Sequence, residues 1–396
     1  MKQNYLTSLL TLLLSIIGIQ AYAHDFEAVN SDGVTIYYKF INSNSELSVT
    51  FRGDLATSDQ SKYRDRYTGY VVIPESVTYE GKTYPVTEIG YDSFCYCKGL
   101  TAVTIPNSVI RIENSAFGFC EGLTAIDIPN SVTEIKDEAF AYTSLTSFTL
   151  PANVTRIVYD AFRGCDSLAV ITVAEGNPVY DSRENCNAII KTETNELILG
   201  CKNSVIPNTV TSLGICAFIG CHLLASITIP GSVTSLGVEA FGDCHALTSI
   251  TIPGSVTTIG NWAMYGSENL ASVHLIGNDA LTIGENFLRG CRKLTDVYYY
   301  KEKLPTIGDY AFHGVNLEDV TLHVPAAAVD AFKATAPWSG FKAVVALTDE
   351  DAAVNGITAQ PAASERYRLD GQRIASPRKG VNIVKKGDKA VKVVVR

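Results

Sequence analysis

The chain has 396 residues, of which 46% are hydrophobic and 18% charged, so it carries ample apolar surface to fold and no compositional sign of disorder. The net charge of −9 is unevenly spread: residues 361–396 hold ten Lys or Arg against three Asp or Glu, a net of +7, which leaves −16 on residues 1–360. An acidic body excludes nucleic acid as the expected partner, because phosphate binding needs basic stripes.

The N-terminus has the pattern of a secretory signal peptide over residues 1–23. Lys2 supplies a positive start, Leu9 to Ile19 is almost unbroken apolar sequence, and Ala21-Tyr22-Ala23 is a small-x-small cleavage site. The apolar run is too short for a spanning helix, and no later stretch is apolar enough to cross a bilayer. The pattern predicts a secreted or cell-surface protein without a transmembrane span.

Residues 24–70 alternate apolar and polar side chains, as in Val34-Thr-Ile36-Tyr-Tyr38 and Leu47-Ser-Val49-Thr-Phe51, and predict a cap of β-hairpins. A repeat array needs such a cap because its end would otherwise expose core. The tripeptide Arg52-Gly53-Asp54 follows a predicted strand end. It is an adhesion motif only if it lies on an exposed turn, and chance occurrence is the alternative.

From residue 71 to 324 an Ile-Pro step recurs every 23 residues. It falls at Pro106 and Pro129 and again at Pro207, Pro230 and Pro253, while Pro151 follows Pro129 by only 22. A fixed period of this length predicts a solenoid, because one unit cannot bury its apolar face alone. In Leu224-Ala-Ser-Ile-Thr-Ile-Pro the Leu and both Ile point inward from a short parallel strand that the proline ends.

An insertion widens the spacing to 56 residues between Pro151 and Pro207. Near residues 176–203, two apolar runs flank a polar segment and predict a hairpin that turns at Glu193-Thr194. Cys186 and Cys201 flank this hairpin, so a disulfide between them is possible.

Six other cysteines fall three residues after the repeat Phe or its replacement Leu288, in a slot that elsewhere holds Thr, Ser or Val. Such a slot predicts small buried side chains, hence a column of free thiols rather than disulfides. These cysteines are Cys97, Cys120, Cys165, Cys221, Cys244 and Cys291.

The repeats give way to a predicted C-terminal cap at residues 325–347, where Val329, Phe332 and Trp338 fit one helical face. Residues 348–364 are rich in small side chains and predict a linker. Residues 365–396 predict a small basic β unit of three short strands around Asp370-Gly371 and Lys386-Gly387.

The unit Leu-x-x-Ile-x-Ile-Pro-x-Ser-Val-x-x-Ile-Gly-x-x-Ala-Phe-x-x-Cys resembles the BspA-like leucine-rich repeats of anaerobic oral and gut bacteria. The insertion from Asn177 to Asn203 is similar to one seen in that family. Tyr367-Arg-Leu-Asp-Gly-Gln-Arg with Pro377-Arg-Lys-Gly resembles the sorting tails of secreted Bacteroidetes proteins. The resemblance implies a mainly β leucine-rich-repeat solenoid that acts as a surface or secreted binding protein, with adhesion reported for some members. It implies no catalytic residues.

Function is expected where the repeats differ on their outward face. The slot between the two inward Ile positions holds mostly Thr, which β-propensity alone explains. It reads Thr104, Asp127, Thr149, Thr172, Thr228, Thr251, His274, Tyr298 and Thr321. Toward the C-terminal end this face gains side chains of the kind that contact proteins and glycans, with Val297 and Tyr299 alternating inward. The predicted ligand-binding residues are His274, Asp296, Tyr298, Tyr300 and His323, and the alternative is a rung whose tyrosines pack under the cap.

Catalytic and metal motifs are lacking in the sequence: there is no glycine-rich phosphate loop, no Gly-x-Ser-x-Gly and no His-Glu-x-x-His. His222 and His245 occupy the same slot in adjacent repeats, which otherwise holds variable loop residues, so we expect a stack rather than a metal site. The sequence predicts no enzyme, cofactor or metal. It predicts a monomer that binds extracellular proteins or glycans, or alternatively a structural coat protein without a dedicated ligand.

Overall fold

The computed structural model describes residues 24–51 and 67–348, Asp351, and four strands between residues 365 and 395. The predicted signal peptide, the tripeptide Arg52-Gly53-Asp54 and most of the predicted linker lie outside the described residues. The predicted fold class is confirmed: the chain is mainly β and forms a solenoid with short parallel strands.

The N-terminal cap is an antiparallel meander that continues into the solenoid. It comprises β1 (Phe26–Val29), β2 (Thr35–Ile41) and β3 (Glu46–Thr50). A hairpin of β5 (Ser76–Tyr79) and β6 (Lys82–Ile89) follows, and β6 pairs in parallel with β3. Antiparallel pairing in the cap therefore gives way to the parallel ladder at β6. The alternating apolar residues of the cap, such as Ile36 and Val49, are fully buried.

Each repeat contributes a two-residue strand to one side of the solenoid. These are β8 (Arg111–Ile112), β9 (Glu134–Ile135), β11 (Arg156–Ile157), β16 (Ser212–Leu213), β17 (Ser235–Leu236), β19 (Thr258–Ile259), β21 (Thr282–Ile283) and β23 (Thr306–Ile307). They pair in parallel with their neighbours and place the Ile or Leu inward.

The Leu-x-x-Ile-x-Ile segments form longer strands on another side, and we call the outward surface of these strands the lateral face. They are β4 (Gly69–Val72), β7 (Leu100–Thr104), β10 (Ser147–Leu150), β12 (Val170–Val173), β18 (Ser249–Ile252), β20 (Ser272–Leu275), β22 (Asp296–Tyr299), β24 (Thr321–Val324) and β25 (Ala343–Ala346). They fall into three blocks, β4-β7, β10-β12 and β18-β20-β22-β24-β25, because the rungs at residues 124–128 and 224–229 are not regular strands.

The core is built from columns of equivalent side chains. Phe94, Phe117, Phe140 and Phe162 stack with centroids 5.1–5.5 Å apart, and Phe218 stacks on Phe241 at 5.1 Å. Aromatic pairs at this spacing add to the free energy gained by burial.

The cysteine slot has a second requirement besides size. Cys120 Sγ donates to the carbonyl of Phe94 at 3.0 Å, Cys244 Sγ to that of Phe218 at 3.3 Å, and Ser267 Oγ to that of Phe241 at 3.0 Å. The slot therefore favours small side chains that donate to a buried carbonyl of the preceding rung, although Val315 fills it in one rung without donating. The six cysteines of this column form no disulfide, as predicted, and burial raises the pKa of the Cys291 thiol to about 12.

The inserted segment divides the core in two. Its strands are β13 (Tyr180–Asp181), β14 (Ala188–Lys191) and β15 (Glu196–Gly200), and β15 joins the parallel ladder at β16. The hairpin of β14 and β15 lies across the solenoid with side chains on both of its faces. Ile189 and Leu199 pack in the N-terminal core, whereas Ile190 and Leu197 pack in the C-terminal core.

The possible disulfide of Cys186 and Cys201 is wrong, although the predicted hairpin is present. Both thiols are free and buried. Cys186 packs in the C-terminal core and Cys201 in the N-terminal core, so the two side chains lie on opposite faces of the hairpin. A disulfide would require both to face each other.

The C-terminal cap holds a short helix, α1 (Val329–Ala334), and the strand β25, which pairs in parallel with β24. Phe332 and Trp338 are buried against the last rungs. The predicted single helical face is wrong in one respect: the helix ends at Ala334 and Trp338 lies in a separate 3-10 turn, Trp338–Gly340. Other 3-10 turns are Arg183–Asn185, Leu317–Asp319 and Ala326–Ala328.

The tail forms one antiparallel sheet of four strands rather than three. They are β26 (Glu365–Tyr367), β27 (Arg373–Ile374), β28 (Gly380–Lys386) and β29 (Lys389–Val395), in the order β27-β26-β28-β29.

Candidate binding surface

The C-terminal end of the lateral face carries a three-ring column. The register of β20, β22 and β24 places His274, Tyr298 and His323 side by side, all pointing outward. The repeat spacing predicted Thr321 beside Tyr298, which is wrong: Thr321 pairs with Asp296. The 3-10 turn at Leu317–Asp319 lengthens the connection before β24, and the register moves by two residues.

The three rings stack almost parallel, and we call them the lateral stack. The centroid of Tyr298 lies 4.3 Å from that of His274 and 4.2 Å from that of His323, with interplanar angles of 2° and 12°. Because neighbouring strands lie about 4.7–4.9 Å apart, planar side chains in one outward column are held at stacking distance by the ladder itself. The stack is thus a direct product of β20, β22 and β24.

Asp296 and Tyr300 brace the lateral stack from its two sides. His323 Nε2 lies 2.9 Å from Asp296 Oδ1, and His274 Nδ1 lies 3.0 Å from the hydroxyl of Tyr300. Such hydrogen bonds fix the ring planes and so limit the entropy that binding would remove.

Tyr300 was predicted to point outward, and this is only half right. It lies on the side of His274 but is only 9% exposed. Burial, followed by the nearby charge of Asp351, raises its pKa to about 12, so its hydroxyl stays protonated. Tyr300 positions His274 and offers little surface to a ligand.

Burial shifts the pKa of two of the three rings of the lateral stack. Burial lowers the pKa of His274, and this effect outweighs the opposing carboxylates of Asp351 and Asp296. Burial also raises the pKa of Tyr298, with further contributions from the same two carboxylates. Both shifts favour the neutral forms of His274 and Tyr298 at the outward edge.

Elsewhere the lateral face is a ladder of hydroxyl groups that bond to one another. Thr149 Oγ1 lies 2.9 Å from Thr172 Oγ1, and Ser272 Oγ donates to Ser249 Oγ at 2.8 Å. Each of these side chains uses part of its hydrogen-bonding capacity on the neighbouring rung.

His222 and His245 stack with centroids 4.6 Å apart, as their shared slot predicts, and His222 Nδ1 lies 3.0 Å from Asp166 Oδ1. Within the described ranges, no group of three or more His, Cys, Asp or Glu side chains could hold a metal ion.

Sequence reasoning missed a cleft in the N-terminal half of the lateral face. It encloses about 510 Å³ beside the irregular rung at residues 124–128, and Asp127, Asn107 and Thr149 are among its lining residues. Two sequence signals mark this place: the 22-residue spacing between Pro129 and Pro151, and an Asp in a column of Thr.

Comparison with known proteins identifies the repeat. The sequence model of the BspA type leucine-rich repeat region matches residues 87–194 and 188–318, in six copies. A comparison with curated proteins finds no match. None of the helices within the described residues is long and apolar enough to cross a membrane.

Solved structures with a similar fold come from several bacteria. A leucine-rich repeat protein from Eubacterium ventriosum is 21% identical, with 81% of this chain and 83% of that chain covered and a TM-score of 0.51. One from Bacteroides ovatus is 20% identical, with 82% and 89% covered and a TM-score of 0.44. The pneumococcal vaccine antigen PcpA is 16% identical, with 82% and 100% covered and a TM-score of 0.47.

Proposed function

We propose that this chain, which belongs to the family of BspA-type leucine-rich repeat proteins, is an exported, non-catalytic surface protein that adheres to extracellular partners through the lateral stack. The observation that carries the proposal is the three-ring column of His274, Tyr298 and His323 at outward positions that hold mostly threonine in the other repeats. A rigid solenoid presents such a column already ordered, which lowers the free energy that association must offset.

The geometry of the lateral stack favours a protein partner over a sugar. Sugars dock on the exposed faces of aromatic rings, but both faces of Tyr298 are covered by the imidazoles of His274 and His323. What remains outward are ring edges and the Tyr298 hydroxyl, and tyrosine presented in this way is enriched at protein interfaces.

Export is supported by the sequence at both ends. Lys2, the apolar run to Ile19 and the Ala21-Tyr22-Ala23 site support a cleaved signal peptide. We further propose that residues 365–396, whose strands form a four-stranded sheet, act as a sorting tail. Mass spectrometry of the exported protein should show a chain that starts at His24, and removal of residues 365–396 should release it from the cell surface into the medium. An intact N-terminus, or unchanged surface display, would contradict these two assignments.

The binding proposal is tested by converting the lateral stack into the hydroxyl ladder found elsewhere. The triple variant His274→Thr, Tyr298→Thr and His323→Thr keeps β-propensity and leaves Tyr300 in place. We expect it to lose at least about tenfold in affinity for any partner found on a panel of extracellular-matrix proteins, because hot-spot residues contribute about 2 kcal/mol or more each.

The matched control is Tyr310→Thr, which removes a tyrosine that is 70% exposed and remote from the lateral stack. It should bind as the unaltered chain does. Full binding by the triple variant would show that the partner contacts another surface.

A structural coat protein is the second candidate. It is favoured by the inter-rung hydroxyl pairs of the lateral face, Thr149 with Thr172 and Ser272 with Ser249, which use part of the hydrogen-bonding capacity of this face for contacts between rungs. If no partner is found on the protein and glycan panels while deletion of the protein alters the integrity of the cell surface, this candidate is preferred.

A further inference from the structure

The cleft beside Asp127 interrupts the long-strand ladder. The rung at residues 124–128 meets β7 through a single bridge, Thr104 with Asp127. Toward the following rung, Thr146 N donates to Thr124 O at 3.2 Å, but β10 itself forms a regular ladder only with β12. The rung is therefore loosely paired with both of its neighbours, and the cleft of about 510 Å³ lies beside it.

Two features of the sequence explain why the ladder opens at this rung. The turn before β10 is one residue shorter than in its neighbour, since Thr143-Ser144-Leu145 replaces Cys120-Glu121-Gly122-Leu123. Phe148 also occupies an inward slot that holds Val or Ile in nearby rungs.

The Phe148 ring is buried and packs 4.4 Å from Phe162 and 5.9 Å from Phe140, between the columns of the core. The inward residues of the preceding rung, Ile126 and Ile128, are correspondingly only half-buried, whereas their equivalents Ile250 and Ile252 are buried. The cleft is thus a consequence of this chain's own packing.

The lining of the cleft is polar and almost uncharged. Asp127 supplies a carboxylate, Asn107 and Asn130 supply amides, and Ser147 and Thr149 supply hydroxyls. Ile126 and Ile128 add apolar surface among these groups. The volume falls within the roughly 300–1,000 Å³ typical of small-molecule sites.

We propose that this cleft binds a neutral sugar unit of a glycan. Carboxylate and amide groups pair with neighbouring hydroxyls of a sugar ring, and half-buried aliphatic side chains suit its C–H surface. One carboxylate is too few for Ca²⁺, which takes six to eight oxygen ligands. An anionic ligand would meet both Asp127 and the acidic body of the chain.

The site goes beyond the proposed function, because it lies in the other half of the solenoid and takes another class of ligand. Loss of one site should leave the other intact. A chain that carries the triple threonine substitution in the lateral stack should therefore still bind sugar, which separates failure of this inference from failure of the adhesion proposal.

The test is calorimetric titration of the full chain with D-glucose, D-galactose, D-mannose, N-acetyl-D-glucosamine and their β-linked disaccharides. We expect saturable binding of at least one of them with a dissociation constant of about 1 mM or below. Asp127→Thr, which restores the residue of the neighbouring rungs, should weaken it at least about tenfold, because it removes hydrogen bonds to a charged acceptor. Thr149→Val should weaken it by a smaller factor.

Asp279→Ala is the matched control, since it removes an exposed carboxylate in the C-terminal half and should leave binding unchanged. The proposal is overturned if no sugar on the panel binds saturably up to about 50 mM, or if Asp127→Thr and Thr149→Val both bind as tightly as the unaltered chain while remaining folded by circular dichroism. Binding of a short extended peptide of alternating Thr and Val, sensitive to Asp127→Thr, in place of sugar would assign the cleft to peptides and also overturn it.

Discussion

The two halves of the solenoid, on either side of the hairpin formed by β14 and β15, have similar cores but different outward-facing side chains. Phe117 in the N-terminal core and Phe241 in the C-terminal core occupy equivalent positions with the same ring stacking. In the outward column, by contrast, Thr149 and Thr172 precede the hairpin whereas His274 and Tyr298 follow it. Core slots are constrained by the neighbouring rungs, so the lateral face is where this chain can vary without losing its fold.

The substitutions with the largest expected effect on the free energy of unfolding test whether the hairpin of β14 and β15 separates the two cores. Phe117→Ala and Phe241→Ala should each destabilise the chain by about 3–5 kcal/mol in urea unfolding, because each leaves a cavity between stacked rings. Since the hairpin divides the core, hydrogen exchange should show protection falling first in the half that carries the substitution. Equal loss of protection in both halves from either variant would show that the hairpin does not separate them.

A smaller effect tests the similarity of the two cores at the cysteine slot. Cys120→Ala should cost about 1 kcal/mol, because the carbonyl of Phe94 loses the thiol donor and keeps only the backbone N–H of Cys97 at 3.0 Å. Cys120→Ser should cost less, since Ser267 already serves this role in the C-terminal half at 3.0 Å. Urea midpoints that rank Ala above Ser would contradict the hydrogen-bonding requirement.

The pH dependence should differ between the halves because the lateral stack contains a buried histidine. Burial lowers the pKa of His274 below its usual 6.5 when folded, despite Asp296 and Asp351 nearby, and the neighbouring His323 acts in the same direction. The unfolded chain then takes up the proton more readily, so stability contributed by His274 is present above about pH 6.5 and is lost as the pH falls toward the folded pKa.

Melting temperatures at about pH 7.5 and 5.5 measure this effect. On acidification between these values the melting temperature of the unaltered chain should change less favourably than that of His274→Thr. Both chains share Asp92 and Asp160, whose pKa values are raised by burial to about 6 and about 7 and act in the opposite direction. A chain that gains stability on acidification through this window, with His274→Thr abolishing the gain, would show that His274 is held charged instead.

The smallest expected effect is that of a reductant. Because Cys186 and Cys201 belong to different cores, reduction should leave the melting temperature unchanged, and alkylation of the unfolded, non-reduced chain should label all ten cysteines. Recovery of a cross-linked peptide that contains both residues would contradict the placement of the hairpin.

The sequence predicted those features that follow from a local period. The alternation of β22 places Val297 and Tyr299 inward and Tyr298 outward, and the structure agrees because a strand has a side-chain period of two. The hairpin at Glu193-Thr194 was predictable in the same way.

Other features depend on packing between distant rungs, and the sequence could not supply them. The placement of His323 beside Tyr298 depends on how much chain the 3-10 turn at Leu317–Asp319 takes up. Burial of Tyr300 reflects its position just after the end of β22. The cleft at Asp127 results from the large Phe148 side chain and the shorter turn before β10, which together change the packing of three rungs.

The central claim is that the partner contacts the lateral stack and not the equivalent face of the N-terminal half. A photo-crosslinking amino acid placed at position 274 and, in a second variant, at position 172 tests this directly, because both positions lie in the same outward column. Incubation of each variant with the matrix-protein panel, followed by irradiation and mass spectrometry, should give a cross-linked partner from position 274 and none from position 172. Cross-linking of equal yield from both positions, or from position 172 alone, would contradict the account.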